Sequence, residues 1–140
     1  MKALIDTNIV IDVISKRDGY EDSLEIFKRC ELRLIQGYIS TITINDAMYI
    51  LRKHVTKEGV RVAVQTLLLI VDVADIIKSD IISAFSSEMA DFEDALQASC
   101  AKRIKADYII TKNIKDYKGS LIPAVLPKWI LNHNIKGRGL

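Results

Sequence analysis

The sequence predicts an α/β domain whose parallel sheet is covered by helices on both faces. Three observations carry this. Short, mostly apolar runs such as "KALI" (2–5), "YIST" (38–41) and "DYIIT" (107–111) read as strands buried on both sides, without the alternation of a half-exposed strand. Longer segments with apolar residues at helical spacing separate them. Strands and helices alternate from end to end, which is the pattern of βα units.

Taken in order, "KALI" ends at Asp6, and "NIVIDVIS" (8–15) follows as a short helix with Thr7 or Asn8 as its cap. "KRDGY" (16–20) is a turn. Leu24, Phe27, Cys30 and Leu34 recur at helical spacing from Tyr20 onward, and Gly37 is expected to stop that helix. "YIST" is the next strand, and a helix starting at Thr43 places Asp46 in its first turn. Thr56 caps a further helix with Glu58 early, where the dipole favours an acid. "IVDV" (70–73) reads as a strand, 78–88 as a helix, and Asp91 to about Lys105 as another. "DYIIT" and "AVLP" (124–127) are the last strands, and "KWILN" (128–132) is a final helical turn. The tail "NIKGRGL" (134–140) reads as flexible, and no domain boundary falls within 1–140.

Composition narrows the class. With 49% hydrophobic residues the chain can build a core, and a net charge of +2 permits a polyanionic partner without the excess of a dedicated nucleic-acid clamp. Two cysteines, Cys30 and Cys100, read as reduced thiols and not as a disulfide framework. Asp6 and Asp12 interrupt the N-terminal apolar stretch, so it is no signal peptide. The longest apolar run, Leu67 to Val71, is far too short to span a bilayer. A cytoplasmic location is expected.

Function is sought among the acids. In open α/β sheets ligands bind beyond the carboxyl ends of the strands. Asp6, Thr7 and Asn8 follow the first strand, Asp46 follows the second, and Thr111, Asn113 and Asp116 follow "DYIIT". Asp94 lies at the start of its own helix. Clustered carboxylates repel and raise one another's pKa values, and a divalent cation resolves this. Mg²⁺ and Mn²⁺ prefer oxygen ligands, and such ions activate water and steady leaving oxygens in phosphodiester hydrolysis. The chain shows no zinc spacing, no phosphate-binding glycine loop and no supported Ser–His–Asp set.

The segments "LIDTNIVID", "ISTITINDAMYILRK", "DFEDALQASCAKRIKADYIITKNIKDY" and "IPAVLPKWIL" together resemble the PIN-domain ribonucleases, in order and across nearly the whole chain. The small single-domain form resembles the VapC-type toxins of toxin–antitoxin pairs. The resemblance implies a three-layer α/β/α fold with a parallel sheet of four to five short strands, and an Mg²⁺- or Mn²⁺-dependent endoribonuclease. It maps the family's acids onto Asp6, Asp46 and Asp94, with Asn113 or Asp116 at the fourth position; Asp6, Asp46, Asp94 and Asp116 are then the expected catalytic residues, and Asp6, Asp94 and Asp116 the metal ligands. Thr7, Asn8, Thr111 and Asn113 become supporting polar groups. Two positions depart from the family pattern: Asp46 stands where Glu is usual, and the neutral Asn113 where Asp is frequent. The implied partners are an RNA substrate, an antitoxin protein and a second copy of the chain, with no membrane.

Each acid also has a structural reading. Asp91 suits an N-cap, and Asp94 three residues later can complete a capping box. Asp6 and Asp46 can serve their helices, and Glu93 is expected to face solvent. Asp116 is either a ligand or an exposed loop charge. Lys112 and Lys115, with Lys118, are either phosphate contacts or solvated loop lysines. Arg52 and Lys53 can act likewise or favour a helix C-terminus. Tyr20, Tyr49 and Tyr117 are either packing residues or platforms for unpaired bases. Two rivals complete the set. One is a catalytically weakened PIN-like domain that binds RNA or protein. The other, a phosphoacceptor receiver domain, fits "DTN" after the first strand poorly.

Overall fold

The computed structural model describes residues 1–133, so the expected flexibility of the tail lies outside the described residues. Five strands form one parallel sheet: β1 (Lys2–Ile5), β2 (Gln36–Ser40), β3 (Asp72–Ala74), β4 (Tyr108–Ile110) and β5 (Ala124–Val125), in the order β3-β2-β1-β4-β5. The register pairs Leu4 with Tyr38 on one side and with Ile109 on the other. Among the described residues there are seven helices, two after each of the first three strands and one after the last: α1 (Thr7–Ser15), α2 (Tyr20–Glu31), α3 (Thr41–Leu51), α4 (Lys57–Leu67), α5 (Lys78–Phe85), α6 (Phe92–Arg103) and α7 (Pro127–Asn132). A 3-10 turn at Ile114–Tyr117 was not foreseen in the sequence.

The pleat of β1 divides the core. Ala3 and Ile5 face one layer, where Ile9, Ile26, Phe27, Leu51, Val60 and Ile130 pack. Leu4 faces the other layer, with Ala84, Ala95, Ala98 and Ala101. This gives the expected α/β/α sandwich, with α5 and α6 covering the second face. Small alanines on α6 let that helix lie close to the sheet. Both cysteines are buried free thiols, and burial pushes Cys30 up to about 12. No described helix is long and apolar enough to cross a membrane.

Several boundaries differ from the sequence reading for local reasons. Asp6, not Thr7 or Asn8, caps α1: its side chain accepts from the Thr7 N–H. Helix α2 ends at Glu31, and Arg33 makes the left-handed turn with φ 59°. Gly37 does not stop that helix; it lies within β2. A Cβ there would sit 2.6 Å from Cys30 Sγ and 3.2 Å from both Ile5 Cδ1 and Val71 Cγ1. Glycine is required by close approach, not by backbone angle. Gly37→Ala is therefore expected to destabilise by about 1–3 kcal/mol through overpacking, read as a lowered midpoint in chemical denaturation. Ser40 caps α3, so that helix starts at Thr41 and Asp46 falls in its second turn, not its first.

Candidate active site

The sheet runs out from β1 through β2 to β3, then returns to the other side of β1 for β4 and β5. The β1/β4 boundary is thus the topological switch point, the place beyond the strand C-termini where open α/β sheets bind ligands. Asp6 and Thr111 meet there. The Asp6 N–H donates to Ile110 O at 2.9 Å, and the Thr111 hydroxyl donates to Asp6 Oδ2 at 2.8 Å. Asp6 Oδ1 accepts from the Thr7 N–H at 2.7 Å. One buried carboxylate therefore caps a helix and holds a neighbouring strand end.

A hydroxyl and amide network backs this carboxylate. Thr7 Oγ1 and Thr43 Oγ1 share a hydrogen bond of 2.9 Å, and Gln97 Nε2 donates to Thr43 Oγ1 at 3.0 Å. The Thr43 N–H donates to Ser40 Oγ at 3.2 Å. Ser40, Thr43, Gln97 and Thr111 are all essentially inaccessible to solvent. Gln97 Oε1 and the Tyr117 hydroxyl are buried without a hydrogen bond of normal geometry. Both side chains lie close enough to Asp6 to influence its ionisation. Sequence reading missed Ser40, Thr43 and Gln97 as site residues. Gln97 was detectable: it is a polar residue three positions after Asp94, on the apolar face of a helix.

The acids divide into two groups. Asp94, in the first turn of α6, is pushed up to about 7 by burial first, then by repulsion from Asp6, Asp91 and Asp116. Burial likewise raises Asp6, against the hydrogen bonds that favour its charged form. The fold thus brings both Asp6 and Asp116 within electrostatic range of Asp94. Asp116 lies on the exposed 3-10 turn, where Asp91, Asp94, Lys115, Asp116 and Lys118 line a cleft of about 450 Å³. Asp46 stands with Glu93 instead. Glu93 is raised chiefly by its hydrogen bond to Asp46, so it is exposed yet turned to a second acid, not simply to solvent. Asp91 caps α6, accepting from the Asp94 N–H at 2.9 Å.

Asn8 clasps the loop after β4, donating to Thr111 Oγ1 and accepting from the Lys112 N–H, both at 3.4 Å. Lys112 is not a free phosphate contact: its Nζ lies 2.7 Å from Oδ2 of the buried Asp12. Arg17 lies 4.0 Å from the other oxygen of Asp12. Sequence reading did not single out Asp12, because its partner is a hundred residues away in the chain. Lys112→Met is expected to cost on the order of 3 kcal/mol by leaving a buried carboxylate with only the more distant Arg17. Adding Asp12→Asn should recover most of that loss in denaturant titrations. Lys115 remains at the cleft. Tyr117 is buried, so it stacks on nothing outside the protein.

Residues 2–115 match the PIN domain. The chain belongs to the PIN domain family. Among solved structures, a chain of a toxin–antitoxin complex from Klebsiella pneumoniae is 26% identical, with a TM-score of 0.69, covering 89% of this chain and 97% of that one. A chain of VapBC2 from Rickettsia felis, bound to promoter DNA, is 21% identical with a TM-score of 0.71, covering 90% and 98%. VapC20 from Mycobacterium tuberculosis, described as a sarcin–ricin loop cleaving toxin, is 11% identical with a TM-score of 0.62, covering 76% and 86%. Comparison with curated proteins gives no match. The expected fold and family are both borne out.

Whether this PIN domain suits a divalent cation is decided by its donor set. Among the described residues no three acidic, histidine or thiol side chains form a ready metal cage. What the fold provides is Asp94, raised by burial and by the charges of Asp6, Asp91 and Asp116, with Gln97 Oε1 and the Tyr117 hydroxyl buried near Asp6 without a hydrogen bond of normal geometry. That suits a cation such as Mg²⁺, which binds through one or two carboxylates and keeps several waters.

Proposed function

We propose that this PIN domain, as one unit over 1–140, is a divalent-metal-dependent endoribonuclease and the toxin of a toxin–antitoxin pair. One observation carries the reading: Asp6 at the switch point and Asp94 in the first turn of α6 come close enough that the charge of Asp6 helps to raise Asp94. The toxin–antitoxin complexes of similar fold support it, as does the cleaving activity named for VapC20.

Asp6 and Asp94 would hold Mg²⁺ or Mn²⁺, with Asp116 at the rim. When bound, such an ion polarises a phosphoryl oxygen and lowers the pKa of water at neutral pH. The chain's own residues do the rest. Thr7 and Thr111 fix the rotamer of Asp6 through both its oxygens. Thr43 and Gln97 fix Thr7 in turn. Asn8 and Asn113 hold the loop after β4, since the Asn113 N–H donates to Thr111 Oγ1 at 3.1 Å. Glu93, raised to about 7 chiefly by its hydrogen bond to Asp46, can hold a proton there. Lys115 can draw in a phosphate without reading sequence. An antitoxin protein, a second copy of the chain and a cytoplasmic setting complete the proposal.

The test is incubation of purified protein with a mixed pool of structured and unstructured RNA in Mn²⁺, in Mg²⁺ and in EDTA. Cleavage in the metals and none in EDTA is expected. A second reading, a PIN domain that binds RNA without cutting it, is favoured by one observation: Asp46 is engaged with Glu93. Mn²⁺ uptake with every RNA left intact would select it.

A further inference from the structure

Helix α3 carries an exposed stripe that the proposed chemistry does not use. Tyr49 is 58% exposed, although a tyrosine at such a position is more often half-buried packing. Its ring has the Arg52 guanidinium 4.0 Å from its centroid. Asn45, one turn earlier, is exposed too. Further along the chain, at the end of α3 and on α4, Arg52, Lys53, Lys57 and Arg61 are all exposed, with Glu58 as the acid among them. Helix α3 is tied to the candidate site by Asp46, three residues before Tyr49, which meets Glu93 at the start of α6.

An aromatic ring beside basic groups, on the helix that also carries Asp46, suits one kind of ligand. A single strand offers bases to stack and phosphates to neutralise, and base–aromatic stacking tolerates any sequence. The carboxylates repel phosphate, so a strand approaching across α3 gains by giving this surface a base and passing its phosphates to the basic end. Arg52 stacked on the ring also limits its rotation, and a guanidinium plane can itself stack on a base.

We propose that Tyr49 and Arg52 form a stacking platform for an unpaired base of single-stranded RNA, with Lys53, Lys57 and Arg61 contacting the backbone beyond it. This rests on the nuclease reading for the identity of the strand, but binding tests it separately from cleavage. The experiment measures fluorescence anisotropy of a labelled, unstructured RNA oligonucleotide in EDTA, beside the same strand carrying abasic sites. Tyr49→Ala is expected to weaken binding of the normal strand about tenfold and that of the abasic strand hardly at all. Tyr49→Phe and Tyr49→Trp should retain affinity. Arg61→Gln should weaken both strands and lower the slope of log affinity against log salt by about 0.7. In cleavage, Tyr49→Ala should raise KM and leave kcat unchanged.

Wild-type affinity in Tyr49→Ala, equal loss on both strands, or no binding by the wild type would overturn the platform. So would an acidic polypeptide that displaces RNA through the same residues with higher affinity, since it would assign this face to a protein. A chain that binds RNA through Tyr49 yet cuts none in Mn²⁺ keeps the platform and refutes the nuclease. A chain that cuts RNA independently of Tyr49 does the reverse.

Discussion

Asp94→Asn is expected to abolish metal-dependent RNA cleavage while making the metal-free protein more stable. The two effects share one cause. Asp94 is held at about 7 by burial and by its acidic neighbours, so its charge is unfavourable until a cation arrives. An acid whose folded-state pKa is raised makes the folded state bind its proton more tightly than the unfolded chain does. Its favourable contribution is present near pH 4 and below, and stability falls as pH rises from there to about 7. Neutral Asn removes that loss. Asp94 is only partly buried, so solvent screening reduces the gain to about 1–2 kcal/mol at pH 8. In thermal melts this is a rise of about 3–6 °C in EDTA, and little change at pH 4. Cleavage should fall on the order of 10³-fold, corresponding to several kcal/mol of lost transition-state stabilisation. A variant that is less stable at every pH would show that Asp94 is a structural residue.

Asp94 is a cleaner test than Asp6. Asp6 caps α1 and accepts from Thr111, so Asp6→Asn disturbs a helix start and a strand end as well as a charge. At Asp94 the local capping bond uses the backbone N–H, which the substitution leaves intact.

Mn²⁺ affinity is expected to fall below about pH 7, by roughly tenfold per pH unit, because the ion must displace a proton from Asp94. Above that pH Asp94 is already ionised and affinity should level off. Competition runs both ways: bound Mn²⁺ favours the carboxylate, so metal-saturated protein should show its activity decline at a lower pH than that of the free group. Titrations at several pH values check this. An affinity flat between about pH 5 and pH 8 would place the ion away from Asp94.

The parts of this molecule that a local pattern determines are legible in the sequence. β1 and Asp6 follow from an apolar run ending in a carboxylate, and Asp91 caps α6 as "DFED" implies. The parts that depend on distant contacts are not. Ser40 captures the start of α3 and moves Asp46 out of its first turn. Lys112, which reads as a loop lysine, is drawn to Asp12 on α1. Gly37 has the look of a helix stop, but its small size serves packing against Cys30, Ile5 and Val71. Tyr49 and Tyr117 are alike as letters, yet one is exposed and the other buried beside Asp6, because the fold alone decides which helix face meets the core.

The most direct measurement is a calorimetric titration of Mn²⁺ into the metal-free protein at pH 8, wild type beside Asp94→Asn. The wild type is expected to bind saturably and the variant at least about tenfold more weakly. Equal binding by both proteins, or none by the wild type, would contradict the claim that these carboxylates are built around a cation.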